Sequence, residues 1–145
     1  YAVSGRFLPR QSRKDRIFGL CARFGLQEHV NKYPSQLSGG QQQRAAILRS
    51  VVNRPSLLLC DEPTGNLNQA QTQLVMELLN ELNQNGQTIL LVTHDTKVAA
   101  RGSRIIYIQD GRMEGELSFA GQGILEREAR DKEQVLMDFL KERGW

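Results

Sequence analysis

Residues 37–44 read Leu-Ser-Gly-Gly-Gln-Gln-Gln-Arg, and this stretch decides how the rest of the chain is interpreted. Ser38 stands where a helical pattern begins and is placed to cap that helix. The N–H groups and positive dipole at a helix start favour an anion, and Gly39 and Gly40 let a phosphate approach the backbone closely. Gln41 and Arg44 add polar reach beyond the turn, although Arg44 equally suits a surface position. The stretch indicates phosphate binding, with a simple capping turn as the alternative.

A pair of carboxylates follows the apolar run of residues 57–60. This run predicts a strand over residues 56–60 that is buried on both faces, so Asp61 and Glu62 stand where the strand ends. The backbone turns there, and one carboxylate can face a magnesium ion while the other reaches an attacking water. We assign Asp61 to the metal and Glu62 to the water. The alternative is a pair of solvent-facing carboxylates before a turn.

The second predicted strand, residues 88–93, leads to a histidine at position 94. Parallel neighbouring strands align their ends, so we expect His94 and Glu62 to share one crevice at the edge of the sheet. His94 could donate a hydrogen bond to a phosphate oxygen and hold the carboxylate that polarises water. A lone histidine in this position would more often be structural.

The order of predicted elements indicates an α/β fold with parallel strands, preceded by a helical segment. Helices are predicted over residues 11–24, from Ser38 toward Asn53, and over residues 69–84 with Asn68 as the cap. The dipeptide Asp110-Gly111 predicts a hairpin, and a glycine-rich segment (121–123) precedes a final helix through Leu125, Leu136, Phe139 and Leu140.

The composition mainly argues against certain kinds of protein. The 145 residues carry a net charge of +3, and two separated cysteines make a disulfide framework or a zinc site a poor explanation. The longest aliphatic stretch, residues 89–92, is far shorter than the roughly 20 residues that cross a bilayer. Membrane association is therefore expected to come through another subunit.

The motifs at residues 37–41, 57–62, 63–68 and 93–95 together resemble those of the ATP-binding cassette (ABC) ATPases of transporters. Within that family the chain is most similar to subunits for lipoprotein release, macrolide export or antimicrobial-peptide resistance. The resemblance implies a partial P-loop NTPase-like core that binds ATP and Mg²⁺, with Ser38, Gly39, Gly40 and Gln41 in the signature motif. It also implies that Asp61 ends the Walker B strand, Glu62 is the catalytic glutamate and His94 the switch histidine.

The resemblance also implies partners and a domain division. Two cassettes would meet head to tail, with a transmembrane permease as the further partner and no nucleic acid, at the cytoplasmic face of the membrane as a peripheral subunit. Residues 1–54 would be the remainder of the helical subdomain, 55–120 the C-terminal half of the ATPase core, and 121–145 a C-terminal helix.

Two departures from the family pattern stand out. No glycine in the chain is followed by lysine, so the phosphate-cradling P-loop is expected to lie before Tyr1, and the chain alone is expected to be inactive. The D-loop, residues 65–68, ends in Asn68 where aspartate is usual. Two other readings stay open, a non-transport ABC-type ATPase that acts on DNA or ribosomes and a remnant that cannot bind nucleotide.

Overall fold

The computed structural model describes residues 10–119 and 129–145, which fall into two units that divide after Val92. The first unit contains the helices α1 (Arg10–Arg23), α2 (Gly39–Val51) and α3 (Gln69–Gln84), the strands β1 (Leu57–Asp61) and β2 (Thr88–Val92), and two short 3₁₀ turns, Gln27–His29 and Pro34–Gln36. The second contains the short helix α4 (Thr96–Ala99), the strands β3 (Arg104–Gln109) and β4 (Arg112–Ser118), and the helix α5 (Ala129–Lys141). No helix in the described ranges is both long and apolar enough to cross a bilayer.

Two helices of the first unit begin at the predicted caps, and glycines follow the ends of two. Ser38 caps α2 and Asn68 caps α3, each through a side-chain oxygen that accepts a backbone N–H of the first turn. Gly25, with φ of +62°, follows α1, and Gly86, with φ of +88°, follows α3. Both glycines take the left-handed conformation that ends a helix. Local chemistry therefore sets these boundaries.

The core of the first unit is built from the apolar faces of its three helices. Its buried positions recur at helical spacing, and β1 adds two more: Leu20, Cys21, Phe24, Ile47, Leu48, Val51, Val75, Met76, Leu79, Leu58 and Cys60. Cys60 is 8% exposed and serves as a small core residue.

β1 and β2 are parallel neighbours, as predicted, in register from Leu57 opposite Thr88 to Asp61 opposite Val92. β1 includes Asp61, so the first carboxylate is the last residue of the strand and not the first residue after it. The second, Glu62, stays close to the sheet because its N–H donates to Val92 O at 2.9 Å.

The prediction that these strands are buried on both faces is wrong for the described residues. Leu58 is only 1% exposed, but its neighbour Leu59 is 40% exposed. On β2, Leu90 and Val92 are 51% and 57% exposed. Continuous apolar runs are typical of strands covered on both faces, whereas here one alternating set of side chains remains open.

The second unit is a hairpin with helices beside it. β3 and β4 pair antiparallel, with a bulge between Tyr107 and Ile108. The predicted turn is confirmed: Asp110 and Gly111 both have positive φ, 49° and 74°, as a two-residue hairpin turn requires. Its core brings α4 and α5 onto one hairpin face: Ala99, Ala100, Leu136, Phe139, Leu140, Ile105, Tyr107 and Leu117. Residues 121–123 and Leu125 lie outside the described residues, and the domain boundaries after residues 54 and 120 stay predictions.

Candidate functional site

The start of α2 carries the serine and glycines singled out from the sequence, and we call Ser38, Gly39 and Gly40 the helix tip. Ser38 N–H donates to Gln41 Oε1 at 2.9 Å, and Gln41 N–H donates to Ser38 Oγ at 3.4 Å. This reciprocal pair is a capping box. The capping box fixes the first turn of α2. At this N-terminal end of the helix, backbone N–H groups have no intrahelical partner and the helix dipole is positive. The helix tip is thus organised as an anion-facing surface.

The two glycines of the helix tip have different surroundings. Gly39 is exposed, and among the described residues beyond its own chain neighbours and helix backbone, a Cβ added there would come within 4 Å of Leu67 Cδ2 alone, at 4.0 Å. Gly40 is buried, and an added Cβ would lie 2.9 Å from Gln71 Cδ. Gly39 therefore faces space that an anion could enter, whereas the missing side chain of Gly40 lets the first turn of α3 approach α2.

The polar residues after the glycines serve the fold in this structure. Gln41 uses its amide oxygen in the capping box, and its Nε2 lies 3.0 Å from Nε2 of His29. Arg44 donates from Nε to Phe24 O at 3.0 Å, at the end of α1. The serine and glutamine spacing could have indicated the capping box. The contact with His29 could not be predicted, because it joins residues 12 positions apart across two turns.

The two carboxylates lie where β1 ends. Asp61 is exposed, and Glu62 is half-buried with φ of 42°, so the backbone turns there as expected. Left-handed backbone at a non-glycine residue is strained, and such strain concentrates at functional sites. Gly65 lies against the glutamate: its N–H donates to Glu62 O at 3.3 Å, and an added Cβ would lie 3.7 Å from Glu62 Oε2.

A tight loop connects these carboxylates to α3. Thr64 is only 7% exposed, and its carbonyl oxygen accepts the N–H of Leu67 at 3.0 Å. Asn68 then caps α3, with Oδ1 accepting Gln71 N–H at 2.9 Å. Asparagine thus keeps the capping function at the position where the family resemblance leads one to expect aspartate. Because Leu67 and Gln71 also border the helix tip, this loop links the two polar features within one unit.

His94 belongs to the second unit, between the end of β2 and α4, and its side chain is exposed. Its neighbours organise the start of α4. Asp95 Oδ1 accepts Lys97 N–H at 2.8 Å, and Asp95 N–H donates to Thr93 Oγ1 at 3.1 Å. The expected meeting of His94 with Glu62 would join residues of different units and stays a prediction.

The pockets found among the described residues of the first unit are open grooves at its surface. A groove of about 170 Å³ lies between α2 and β1 and includes Cys60 and Asp61 in its lining. Typical small-molecule pockets are about 300–1,000 Å³. A wider depression of about 620 Å³, lined by Asn68, Gln69, Ala70 and Gln73, lies open over the first turn of α3. Burial raises the pKa of the Cys60 thiol, which disfavours the thiolate form that acts as a nucleophile.

The donor set at the strand end suits a metal that arrives with its ligand. In the part of the chain that the structure describes, no three His, Cys, Asp or Glu side chains are grouped to hold a metal ion. Asp61 offers one exposed carboxylate. Mg²⁺ is commonly bound through one or two carboxylates, with waters and substrate phosphates completing its shell. Asp61 fits that arrangement.

Comparisons with known proteins agree with the motifs. A family described as "ABC transporter" matches residues 9–65. The chain is 50% identical over 121 residues to "Macrolide export ATP-binding/permease protein MacB" of Syntrophobacter fumaroxidans. This match covers 83% of this chain and 17% of that protein. The protein of the same name from Hahella chejuensis is 50% identical over 104 residues, covering 72% of this chain and 16% of that protein. The chain thus spans about one sixth of the length of these relatives.

Solved structures show the same relationship in three dimensions. The dimeric post-hydrolysis structure of the ATP-binding cassette MJ0796, bound to ADP and Pi, superposes with a TM-score of 0.69 at 40% identity. The match covers 80% of this chain and 51% of that cassette. A putative metal-chelate type ABC transporter in an inward-facing conformation has a TM-score of 0.69 at 21% identity, which shows the fold alone. The chain belongs to the ABC transporter family and has the fold of that family's ATPase cassette.

Proposed function

We propose that this chain is part of an ATPase cassette that powers export across a membrane. Two cassettes would share two ATP pockets, and this chain would contribute the helix tip to one pocket and the acidic end of β1 to the other. The observation that carries the proposal is the pairing, within one unit, of an anion-facing helix tip and an acidic strand end. The first is suited to a phosphate, and the second to a metal and a water. Neither encloses a nucleotide, which favours pockets completed by other surfaces.

The residues divide the chemistry between them. Asp61 would hold Mg²⁺, which supplies charge neutralisation at the phosphates when it is bound with ATP. Glu62 would orient and polarise the attacking water, and His94 would donate to a phosphate oxygen and hold Glu62. The N–H groups of Gly39 and Gly40 would face the phosphates of an ATP held mainly by the other cassette, with the Ser38 hydroxyl as a further donor.

Head-to-tail pairing of two cassettes is supported by the shape of the helix tip. Gly39 is exposed, and the capping box holds the first turn of α2 in place before any ligand binds, so its free N–H groups stay available to a phosphate from outside. The MJ0796 cassette, 40% identical, was solved as a dimer with ADP and Pi. A second cassette is therefore the partner that would bring ATP to the tip of this chain.

Export is the direction of transport that the relatives favour. The MacB proteins are named as ATP-binding/permease proteins for macrolide export, and identity to this chain reaches 50%. We infer that the cassette acts at the cytoplasmic face of a membrane, held there by a transmembrane permease. ATP binding would close the pair of cassettes and hydrolysis would reopen it.

Glu62→Gln in the complete natural protein tests the catalytic assignment. Glutamine keeps the size of the side chain but is a very poor proton acceptor, so turnover should fall by about 10²-fold or more while ATP binding persists. Steady-state ATPase and equilibrium nucleotide binding are measured side by side. Glu114→Gln, at an exposed position on β4, is the matched control and should leave both unchanged. Hydrolysis by Glu62→Gln at the parent rate would remove Glu62 from this role.

The isolated 145-residue chain provides a second test. It contains no glycine followed by lysine, so it lacks the loop that cradles phosphates in this fold. We expect weak or no ATP binding by calorimetry at millimolar Mg²⁺. Tight, magnesium-dependent binding by the monomer would contradict the division of the pocket between two cassettes.

A further inference from the structure

We propose that His29 is a positioning residue for the helix tip, acting through the side chain of Gln41. The inference rests on the proposed function, because it assigns to His29 a role in presenting the tip to ATP. It is carried by a chain of three hydrogen-bonded groups that runs from the Gln27–His29 turn to the cap of α2. Gln41 is the middle member of that chain and Ser38 the last.

The orientation of the Gln41 amide is fixed by its bond to the backbone. Ser38 N–H can only donate, so the atom that accepts it at 2.9 Å must be the amide oxygen of Gln41. The amide nitrogen then points to His29 Nε2, at 3.0 Å. Because an amide nitrogen can only donate, His29 Nε2 must accept. The hydrogen-bond pattern thus selects the tautomer of His29 that carries its proton on Nδ1.

The backbone of His29 is fixed by hydrogen bonds through both its N–H and its carbonyl group. His29 N–H donates to Leu26 O at 2.9 Å, and Lys32 N–H donates to His29 O at 3.0 Å. His29 is half-buried, which limits competition from water for the bond to Gln41. A fixed acceptor of this kind restricts the amide to the orientation that the capping box needs. Without it, the Gln41 nitrogen would exchange partners with solvent and the Ser38 N–H alone would hold the amide.

The second ring nitrogen of His29, Nδ1, lacks the hydrogen bond that a buried polar atom usually has. Nδ1 is buried and has no hydrogen-bond partner among the described residues. Buried polar atoms are usually paired, so this one is an exception for which a reason is needed. The bond from Gln41 to Nε2 provides the reason, because that bond requires the tautomer with the proton on the unpaired nitrogen.

Two substitutions separate the acceptor from the shape of the side chain. His29→Leu removes the acceptor and keeps an apolar side chain of moderate size. His29→Gln keeps an acceptor near the position of Nε2 and should restore the bond. Glu28→Gln, an exposed change on the same 3₁₀ turn, is the matched control. A Gln41→Leu background tests whether His29 acts through Gln41, because its effect should then disappear in the double variant.

The first measurement is made on the 145-residue chain without nucleotide. Nitrogen-15 spectra of the imidazole at about pH 8, above the range in which histidines ordinarily titrate, should show Nε2 unprotonated and Nδ1 protonated. Hydrogen exchange at the Ser38 amide should quicken roughly 2- to 10-fold in His29→Leu, as expected for loss of one hydrogen bond, and recover in His29→Gln. A proton on Nε2, or equal exchange in the leucine variant and the parent, would overturn the inference.

The second measurement links the bond to ATP in the complete natural protein. His29→Leu should raise the KM for ATP roughly 2- to 10-fold with kcat nearly unchanged, and His29→Gln should restore the KM. Ser38→Ala reports on the helix tip directly. If Ser38→Ala raises the KM and His29→Leu does not, the inference about His29 fails while the proposed function stands. If Ser38→Ala leaves the KM unchanged, the proposed function of the helix tip fails as well.

Discussion

Replacement of Gly39 by alanine should weaken the engagement of ATP without weakening the fold. Gly39 does not require left-handed backbone, and the one tertiary neighbour that a Cβ added there would meet within the described ranges is Leu67 Cδ2, at 4.0 Å. Glycine in the interior of a helix is less favourable than alanine by about 1 kcal/mol, and this difference is smaller in the first turn. The free energy of unfolding should therefore stay level or rise by up to about 1 kcal/mol.

The new methyl group of Gly39→Ala would project into the space through which a phosphate approaches the helix tip. Hydrogen bonds to charged groups contribute about 1.5–3 kcal/mol each, so disturbing one should weaken ATP engagement roughly 10- to 100-fold. Gly40→Ala acts differently, because its Cβ would lie 2.9 Å from Gln71 Cδ. That side chain must move, so Gly40→Ala disturbs the contact between α2 and α3 in addition to the tip.

Urea unfolding followed by circular dichroism measures the first effect, and the KM for ATP of the complete natural protein measures the second. Gly19→Ala is the matched control, since Gly19 is exposed within α1 and an added Cβ meets no tertiary neighbour within 4 Å in the part of the chain that the structure describes. It should stabilise the fold by about 1 kcal/mol and leave ATP engagement unchanged. Normal ATP engagement in Gly39→Ala, or a loss of stability above 1 kcal/mol, would refute the description of Gly39 as an open approach to the backbone.

Two further predictions concern the second unit. Gly115→Ala should destabilise the chain by about 1–3 kcal/mol in urea unfolding, because the added Cβ would lie 2.6 Å from Arg143 Nε and 2.8 Å from Phe139 Cζ, where the guanidinium stacks on the ring. An unchanged urea midpoint would contradict that packing. Hydrogen bonds from Arg104 lower the pKa of Glu116 in the folded state, so their contribution is present at neutral pH and is lost as the pH falls through that lowered pKa. Arg104→Gln should therefore flatten the acid limb of stability against pH, and identical limbs would show that the exposed pair contributes nothing.

Features governed by neighbouring residues could be predicted from the sequence. Ser38 and Asn68 cap helices because their short side chains reach the N–H groups of the next turn. Gly86 ends α3, and Asp110-Gly111 forms a hairpin turn, because these positions take backbone angles that few other residues adopt easily. The turn at Glu62 after a strand also follows from local order. None of these features depends on what lies elsewhere in the chain.

Features that depend on distant residues could not be predicted. An apolar run does not reveal how many layers will cover a strand, and Leu90 remains 51% exposed although its sequence is typical of a fully covered strand. The sequence predicts that Gln41 reaches toward a nucleotide, which stays a prediction, and it gives no sign of the contact of that amide with His29. Only tertiary structure brings His29 to that amide. The sequence therefore identified the polar groups of the candidate site better than it identified what holds them.

The contacts around the helix tip connect it to the acidic end of β1 within one unit. Leu67 and Gln71 border the two glycines of the tip, and both follow the turn that begins at Glu62. A shift of the Glu62 turn would thus be felt at the tip through the packed side chain of Gln71, without any change in the capping box. Asn68 matters here, because it caps α3 as aspartate would but adds no charge at the positive helix end. The helix tip and the Glu62 turn are therefore connected by the packing of Leu67 and Gln71, and Asn68 adds no charge to that connection.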